Sequence, residues 1–302
     1  MRAEERRVLV IDVGSNTVRA IAAHISPSGE AVIDYQAGGM TALGGGLSGT
    51  GEMSDEAIAA TVEMVTRMVS ECRGIDQTHC VGTAACRDAS NTEVLVRALL
   101  EEAGVELEVI SGELEAEFSH AGAIDAVGES GRTGSVVIDI GGASTELVRA
   151  RGATLDLTSL RIGARSLTET WLRSDPPTGE EVRGACAAAR EVLVEALPML
   201  REAAAAVAAG GTAHAAARCL NESVLSADGL GELVGEMSAA ALVDRRKMMP
   251  FDPARAAIVV GGLVILEAVA AEAPGQRVTV SRGGLREGVL LERAGATTVR
   301  VG

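Results

Sequence analysis

Two short segments of this chain nearly repeat each other, and both have the pattern of a strand, a tight turn and a second strand. They cover residues 10–17 and 137–145. In each, an apolar run ends in an aspartate, a glycine follows two residues later, and an apolar stretch resumes after small polar residues. An apolar run of about four to eight residues closed by glycine predicts a buried strand. The repeat therefore predicts two duplicated halves.

The turns also predict a kind of chemistry. Glycine lets a turn present consecutive backbone N–H groups, which form a concave anion site. The aspartates that close the two strands, Asp12 and Asp139, suit a hard cation such as Mg²⁺, which bridges phosphate oxygens. One such turn alone is as well explained by an ordinary hairpin. Two in register favour a phosphate chain and its metal held in a cleft shared by the halves.

Composition excludes several classes of partner. The chain has 302 residues, with 27 basic and 42 acidic side chains and a net charge of −15. This acidity argues against a nucleic-acid partner or an anionic membrane surface. Nucleobase binding is also disfavoured because stacking platforms are scarce: the aromatic residues are Tyr35, Phe118, Trp171 and Phe251.

Localisation is predicted from the cysteines and the apolar runs. Five cysteines without a C-x-x-C pair, and no signal-peptide pattern, indicate a reduced, cytoplasmic protein. The longest apolar run, residues 256–266, is too short to span a bilayer.

Strands lead and helices follow in each half, which predicts an α/β fold with two similar lobes. A strand over residues 78–85 runs into Arg87, and a helix begins near Glu113. The polar, glycine-rich stretch 128–134 is a candidate domain junction. The alanine-rich tract 203–209 is interpreted as core helix.

Five ordered segments resemble signatures of the exopolyphosphatase / guanosine pentaphosphate phosphatase family, in its short two-domain form. The segments are 12–19, 82–89, 110–116, 138–148 and 280–290. The resemblance implies two ribonuclease-H-like lobes of the actin, Hsp70 and sugar kinase superfamily around a central cleft. We expect these lobes at 1–125 and 126–290, with a tail of about 291–302 on the first lobe.

The resemblance also implies an activity, the Mg²⁺-assisted hydrolysis of terminal phosphates. Inorganic polyphosphate is the expected substrate, in short chains, because the chain ends soon after the last motif. Guanosine pentaphosphate is the alternative substrate, disfavoured by the scarce aromatics. A non-catalytic phosphate-binding regulator is a further alternative, and a kinase on the same fold is a third. The oligomeric state is left open, with a homodimer as one option.

Catalytic roles are expected for three carboxylates: Glu115 from the resemblance, and Asp139 and Glu146 from their positions beside the second turn. Glu115 occupies the position of the family's catalytic glutamate; without the family, it would be interpreted as part of a solvated helix start. Asp139 and Glu146 lie on either side of the second turn, where both could reach one metal or water. Asp12 would complete the metal set from the other lobe. The alternative for Glu146 is an ordinary surface strand residue.

Phosphate contacts are expected from both turns and from two arginines, because arginine binds phosphate bidentately. The predicted residues are Gly14, Ser15, Asn16, Thr17, Arg19, Arg87, Gly141, Gly142, Ala143 and Ser144. Residues 210–212 could form a third glycine loop or a plain helix start.

The chain departs from the family pattern at four positions. Ala42 and Gly45 replace an arginine and an acid in the first-lobe loop, which puts affinity or chain-length preference in doubt. Ala143 replaces a glycine and is tolerable if its φ is negative. Ala257 replaces an aspartate. None of these removes a predicted catalytic carboxylate, so we expect catalysis to survive.

Overall fold

A computed structural model describes residues 5–128, 134–151 and 154–302. The chain divides into two compact units. Unit 1 is Met1–Asp125 with Leu285–Gly302, and unit 2 is Ala126–Gly284. The expected junction at 128–134 lies mostly outside the described residues.

Runs of strands and runs of helices follow one another along the chain, as in an α/β fold. The strands are β1 Arg6–Val13, β2 Thr17–Ile25, β3 Glu30–Met40, β4 Gln77–Gly82, β5 Leu107–Val109, β6 Val136–Ile140, β7 Thr145–Arg151, β8 Thr154–Leu160, β9 Ala206–Ala209, β10 Val224–Ser226, β11 Arg277–Val280 and β12 Thr298–Val301. The helices are α1 Leu47–Thr50, α2 Asp55–Glu71, α3 Ala84–Asp88, α4 Thr92–Ala98, α5 Gly112–Val127, α6 Ala164–Trp171, α7 Gly179–Leu193, α8 Leu197–Arg201, α9 Gly210–Leu220, α10 Ala227–Ala239, α11 Leu242–Met248, α12 Val259–Glu272 and α13 Leu285–Glu292. A π-helical turn, Leu99–Ala103, extends α4.

Each unit contains one six-stranded mixed sheet. Unit 1 has the order β12-β3-β2-β1-β4-β5, and unit 2 has the order β10-β11-β9-β6-β7-β8. In unit 1, β1, β2 and β3 form an antiparallel meander, and β4 and β5 run parallel to β1. Unit 2 repeats this with β6, β7 and β8 as the meander and β9 parallel to β6. The predicted class, α/β with two ribonuclease-H-like lobes, is confirmed.

Strand β1 shows why the sheet of unit 1 needs cover on both faces. Leu9 and Ile11 lie in one apolar cluster with helix α2, whereas Val8 and Val10 lie in another with Phe118 of α5. Successive side chains of a strand point to opposite faces, so a strand buried on both sides is apolar throughout. Because both faces of the sheet are covered, the polar residues of β1 and β2 lie toward the strand ends.

Helix α13 belongs to unit 1, whereas the sequence analysis placed residues up to 290 in the second lobe. Val289 and Leu290 are fully buried in the same cluster as Phe118. Gly288 lies directly against the backbone of Phe118, where a side chain would collide. This close helix crossing holds the part of the last motif from Leu285 onward on unit 1.

The interpretation of residues 203–209 as helix is wrong. Helix α8 ends at Arg201, and residues 206–209 form the central strand β9, with all four residues buried. Strand β9 is parallel to both β6 and β11. A short, fully buried apolar run gives no periodicity that separates strand from helix, and the high helix propensity of alanine favoured the wrong choice.

The strand predicted over residues 78–85 is shorter than expected. It ends at Gly82: Thr83 N–H makes a last hydrogen bond to β1, donating to the carbonyl of Val13 at 3.2 Å, and α3 begins at the next residue. Arg87 therefore stands on a short helix beside the end of β1. Within the part of the chain described, no helix is long and apolar enough to cross a membrane.

Candidate functional site

The two hairpin turns have the same hydrogen-bond geometry. Gly14 N–H donates to the carbonyl of Thr17 at 3.1 Å, and Gly141 N–H donates to the carbonyl of Ser144 at 2.9 Å. A Cβ at either glycine would lie 3.1 Å from that same carbonyl oxygen. The sequence repeat is therefore a structural repeat, with glycine favoured at one position in each turn.

A loop of unit 1 orients the peptide groups of the first turn. Gly44 N–H donates to the carbonyl of Ser15 at 2.7 Å, and the N–H groups of Thr41 and Ala42 donate to the carbonyl of Asn16 at 3.0 Å. In a planar trans peptide, the C=O and the following N–H point in opposite directions. The N–H groups that follow these carbonyls therefore point away from the loop, as an anion-binding turn requires.

The start of helix α6 does the same for the second turn. Ala164 N–H donates to the carbonyl of Gly141 at 2.9 Å, and Arg165 and Ser166 donate to the carbonyl of Gly142 at 2.8 and 3.0 Å. The N–H groups that follow these two carbonyls point away from α6. Each unit thus orients its predicted phosphate turn with a different element.

Asp139 and Glu146 lie directly opposite each other on β6 and β7. Directly opposite residues share one face of a sheet, with Cβ atoms about 4.5–5.5 Å apart. Ser159 on β8 donates to Glu146 Oε1 at 3.1 Å. Gly210, at φ +78°, lies against the carboxylate of Asp139, where a Cβ would collide. The structure therefore brings the two predicted carboxylates together within unit 2.

Unit 1 carries a cation where unit 2 has its second carboxylate. Asp12 on β1 is directly opposite Arg19 on β2. A Cβ at Gly38 of β3 would lie 3.3 Å from Arg19 Cγ, so this glycine gives the arginine stem room to lie across the sheet. We call the first turn with Asp12 and Arg19 the first half-site, and the second turn with Asp139 and Glu146 the second half-site. The two have equivalent backbones but differ in charge. An arginine here suits phosphate binding.

Arg87 and Glu115, predicted separately as a phosphate ligand and a catalytic base, form an ion pair. Arg87 Nη1 donates to Glu115 Oε2 at 2.7 Å and to the carbonyl of Ile110 at 3.1 Å. Both side chains are about 30% exposed, at 29% and 31%. Glu113 and Glu117 of the same helix are exposed. The structure thus singles out Glu115 among its acidic neighbours, which argues against the solvated helix start.

Arg255 is a candidate functional residue that the sequence analysis missed. Its guanidinium lies over Gly211, in the first turn of α9, where a Cβ would collide with it. Arg255 Nε donates to Asp252 Oδ2 at 2.9 Å, which fixes the side chain. Residues 210–212 were expected to form either a third glycine loop or a plain helix start, and the structure has the start of α9 there. No sequence signal linked this segment to an arginine so far along the chain.

The donor set fits a magnesium ion that keeps part of its water shell. Among the described residues, no group of three or more histidine, cysteine, aspartate or glutamate side chains could hold a metal by itself. Mg²⁺ is usually bound through one or two carboxylates, with waters and substrate phosphates completing the shell. The opposed carboxylates of Asp139 and Glu146 match that requirement.

Ala143 and Ala42 replace family residues with different consequences for the backbone. Among the described residues, the non-glycine positions with positive φ are Ala42, Asn221 and Gln276. Ala143 is not one of them, so the condition set for its tolerance is met. Ala42, at φ 51°, adopts the left-handed conformation that favours glycine.

We expect Ala42→Gly to raise the free energy of unfolding by about 0.5–1 kcal/mol, because glycine removes the left-handed penalty of an L-residue. Urea titration of the two proteins would measure the difference. Ala143→Gly serves as the control. The backbone of Ala143 carries no such penalty, and glycine adds conformational entropy to the unfolded chain, so the free energy of unfolding should not rise. Equal stability of Ala42→Gly and the parent chain would contradict this expectation.

Cys86 is a buried thiol beside the first half-site. The pKa of Cys86 is raised to about 11, mainly by burial and secondly by the negative charge of Asp12. At pH 8 only about one thiol in a thousand would be ionised, and the thiolate is the reactive form. We expect iodoacetamide to modify Cys86 far more slowly in the folded chain than in urea, as read by peptide mapping. Equal labelling rates would contradict this.

This chain resembles known proteins in both sequence and structure. The sequence model of the Ppx/GppA phosphatase family matches residues 36–296. Exopolyphosphatase 2 of Mycobacterium tuberculosis is 32% identical, over 96% of this chain and 99% of that protein. The guanosine-5'-triphosphate,3'-diphosphate pyrophosphatase of Vibrio vulnificus is 28% identical, over 93% of this chain but 58% of that protein. The crystal structure of an Aquifex aeolicus Ppx/GppA family member has a TM-score of 0.80, with 28% identity over 96% of this chain and 98% of that chain.

Proposed function

Because the chain belongs to the Ppx/GppA phosphatase family, we propose that it hydrolyses the terminal phosphoanhydride bond of inorganic polyphosphate and releases phosphate. The observation that carries this proposal is the similarity to an exopolyphosphatase over nearly the whole length of both chains. The proposed substrates are short polyphosphate chains. The pyrophosphatase relative, by contrast, extends well beyond the region that this chain matches.

The substrate is strongly anionic, so the site must neutralise charge despite a net charge of −15. In unit 1, oriented N–H groups of the first turn serve this purpose together with the guanidinium groups of Arg19 and Arg87. In unit 2, those of the second turn serve it together with the guanidinium group of Arg255. Salt screens distant charge within about 10 Å, so these local groups outweigh the acidic surface. Phosphoryl transfer depends mainly on such positioning and charge stabilisation.

Hydrolysis adds water to the terminal phosphorus and breaks its bond to the bridging oxygen, which leaves with the shortened chain. We assign Glu115 to orient that water and accept its proton, with Arg87 holding the carboxylate in place. Asp139 and Glu146 would hold a magnesium ion within unit 2, and the ion when bound would neutralise charge on phosphate oxygens. Ser159 orients the carboxylate of Glu146.

Polyphosphate is favoured over guanosine pentaphosphate because the aromatic side chains have other partners. Tyr35 donates to Glu71 at 2.7 Å, Phe118 is buried, and the ring of Phe251 lies under Arg218 at 4.3 Å. Trp171 covers Gly184 of α7. None of these residues belongs to the turns or to the strands that carry the site carboxylates. A nucleobase would therefore lack an aromatic platform there.

We place this activity in the cytoplasm. The five cysteines are free thiols, of which Cys72, Cys80 and Cys86 are buried. This fits a reducing compartment. Fractionation of the producing cell, with recovery of the chain outside the soluble cytoplasmic fraction, would overturn the placement.

The test is phosphate release by the purified chain with Mg²⁺, measured with malachite green on polyphosphates of several lengths and on guanosine pentaphosphate. We expect release from polyphosphate, fastest on short chains, and little from the nucleotide. A preference for the nucleotide would favour the alternative substrate. Polyphosphate binding without any turnover would favour a regulatory binding protein.

A further inference from the structure

Helix α5 carries the proposed base, Glu115, in its first turn and a second carboxylate, Asp125, in its last turn. The two residues lie about 15 Å apart along the helix axis, because an α-helix rises about 1.5 Å per residue. A carboxylate near the C-terminal end of a helix meets the negative end of the helix dipole and is unfavourable there. Asp125 takes no part in the proposed reaction, so its place in the helix has another cause.

Strand β12 supplies hydrogen-bond donors to that carboxylate. Val299 N–H donates to Asp125 Oδ2 at 2.8 Å, and the hydroxyl of Thr298 donates to the same oxygen at 3.4 Å. In the described sheet of unit 1, β12 is the outermost strand and pairs with β3. Peptide N–H groups on the outer edge of such a strand need acceptors from elsewhere. Asp125 therefore joins the end of α5 to the last strand of the chain.

The C-terminal segment, residues 285–302, also contacts the beginning of α5. Leu114 and Phe118 flank Glu115 in the sequence, and both pack in one apolar cluster with residues of α13 and β12. Gly288 of α13 lies directly against the backbone of Phe118. The segment thus contacts α5 on both sides of Glu115 and again at the last turn. Contacts at two separated points of one rigid helix fix both its axial position and its rotation.

We propose that Asp125 is a positioning residue for Glu115. Its hydrogen bonds to β12 fix the axial position and the rotation of α5, and thereby the position of the Glu115 carboxylate. This role rests on the proposed function, in which Glu115 orients the attacking water. The ion pair with Arg87 holds the end of the side chain, whereas the C-terminal segment holds the helix that carries it. A displacement of about 1 Å can cost about 10²-fold in rate, even when its cause lies far from the chemistry.

Replacing Asp125 with alanine removes both hydrogen bonds to β12 and should lower kcat on a short polyphosphate about tenfold or more. KM should stay within about twofold of the parent, because the first phosphate turn and Arg87 lie on other elements. Asp125→Asn should recover most of the rate, since its amide oxygen still accepts from Val299 N–H. The matched control is Glu30→Ala, which removes a carboxylate that contacts β12 from β3, through Arg300 at 3.5 Å, and should leave kcat unchanged.

A double-mutant cycle with Glu115→Gln separates a positioning role from a general structural one. Once the charge of Glu115 is gone, a shift of α5 has little left to affect. Asp125→Ala should therefore lower kcat by less than about twofold in the Glu115→Gln chain. A loss of folded protein would instead lower kcat by the same factor in both backgrounds. Equal losses in the two backgrounds, or a parental kcat for Asp125→Ala, would overturn the proposal.

Hydrogen exchange gives a reading that needs no activity. In Asp125→Ala, we expect faster exchange of the amides in the first turns of α5, while those of β1 and β2 keep the parental rate. Thermal melting verifies that each variant folds. A parent chain that releases no phosphate would overturn the proposed function and, with it, the base. An active parent whose Asp125→Ala variant shows parental exchange in α5 would overturn the positioning role alone.

Discussion

Replacing Glu115 with glutamine is expected to lower the rate of phosphate release by about 10³-fold, because removal of a positioned general base costs about 10²–10⁴-fold. Glutamine keeps the size of the side chain and an oxygen that can accept from Arg87. The substitution therefore removes the charge and basicity of Glu115 while the helix start remains intact. The measurement is kcat on a short polyphosphate, with KM as the accompanying value.

Glu113→Gln is the matched control, since Glu113 stands in the same helical turn but is exposed. It should keep kcat within about twofold of the parent, because isolated surface charges contribute little. In the Glu115→Gln variant, Arg87 loses its charged partner, so we expect KM to fall or stay the same. A kcat close to that of the parent chain would remove Glu115 from the proposed mechanism and leave water activation to Asp139 or Glu146.

The repeated hairpins were the part of the fold that the sequence predicted best. Strand β2, the apolar stretch that resumes after the first turn, covers Thr17–Ile25, and helix α2 begins after Ser54, whose side chain accepts from Ala57 N–H. These elements depend on local signals, namely alternation, a capping hydroxyl and a glycine turn. The family resemblance, drawn from five short segments, is confirmed by the match over residues 36–296.

Long-range contacts were beyond the reach of the same signals. Local patterns do not indicate that β9 is a central strand, because the strands it pairs with, β6 and β11, lie far from it in the sequence. The ion pair of Arg87 with Glu115 likewise joins two motifs that the sequence analysis treated separately. Such contacts depend on which strands pair and which side chains become buried. Neither can be inferred from a short stretch of sequence, because both arise only when the unit folds.

The loop around Ala42 shows how one substitution constrains another. Gly45 N–H donates to the carbonyl of Ala42 at 2.7 Å, and a Cβ at Gly45 would lie 2.9 Å from that oxygen. An acid at position 45, as the family pattern has it, would require this tight turn to open. The loss of the arginine and the loss of the acid are therefore one change of loop conformation, which the sequence alone presented as two.

Gly163→Ala is expected to damage the second half-site through its backbone. A Cβ at Gly163 would lie 2.6 Å from Ala143 N and from the carbonyl carbon and oxygen of Gly142. The φ of Gly163 is −143°, so alanine adds no conformational strain and the whole effect is steric. Because the atoms it meets are backbone, α6 must move away from the turn. Forced overpacking of this kind costs about 1–3 kcal/mol.

The movement would also break the hydrogen bonds from α6 that orient the turn, so we expect KM for polyphosphate to rise about tenfold or more, a loss of about 1.4 kcal/mol in binding. Gly231→Ala is the control, because a Cβ there meets nothing within 4 Å in the middle of α10. It should raise stability by about 0.5–1 kcal/mol, since alanine favours a helix interior over glycine, and leave KM unchanged. Thermal melting and steady-state kinetics of both variants measure the two effects. A Gly163→Ala chain with parental stability and KM would show that α6 does not hold the second turn in its binding conformation.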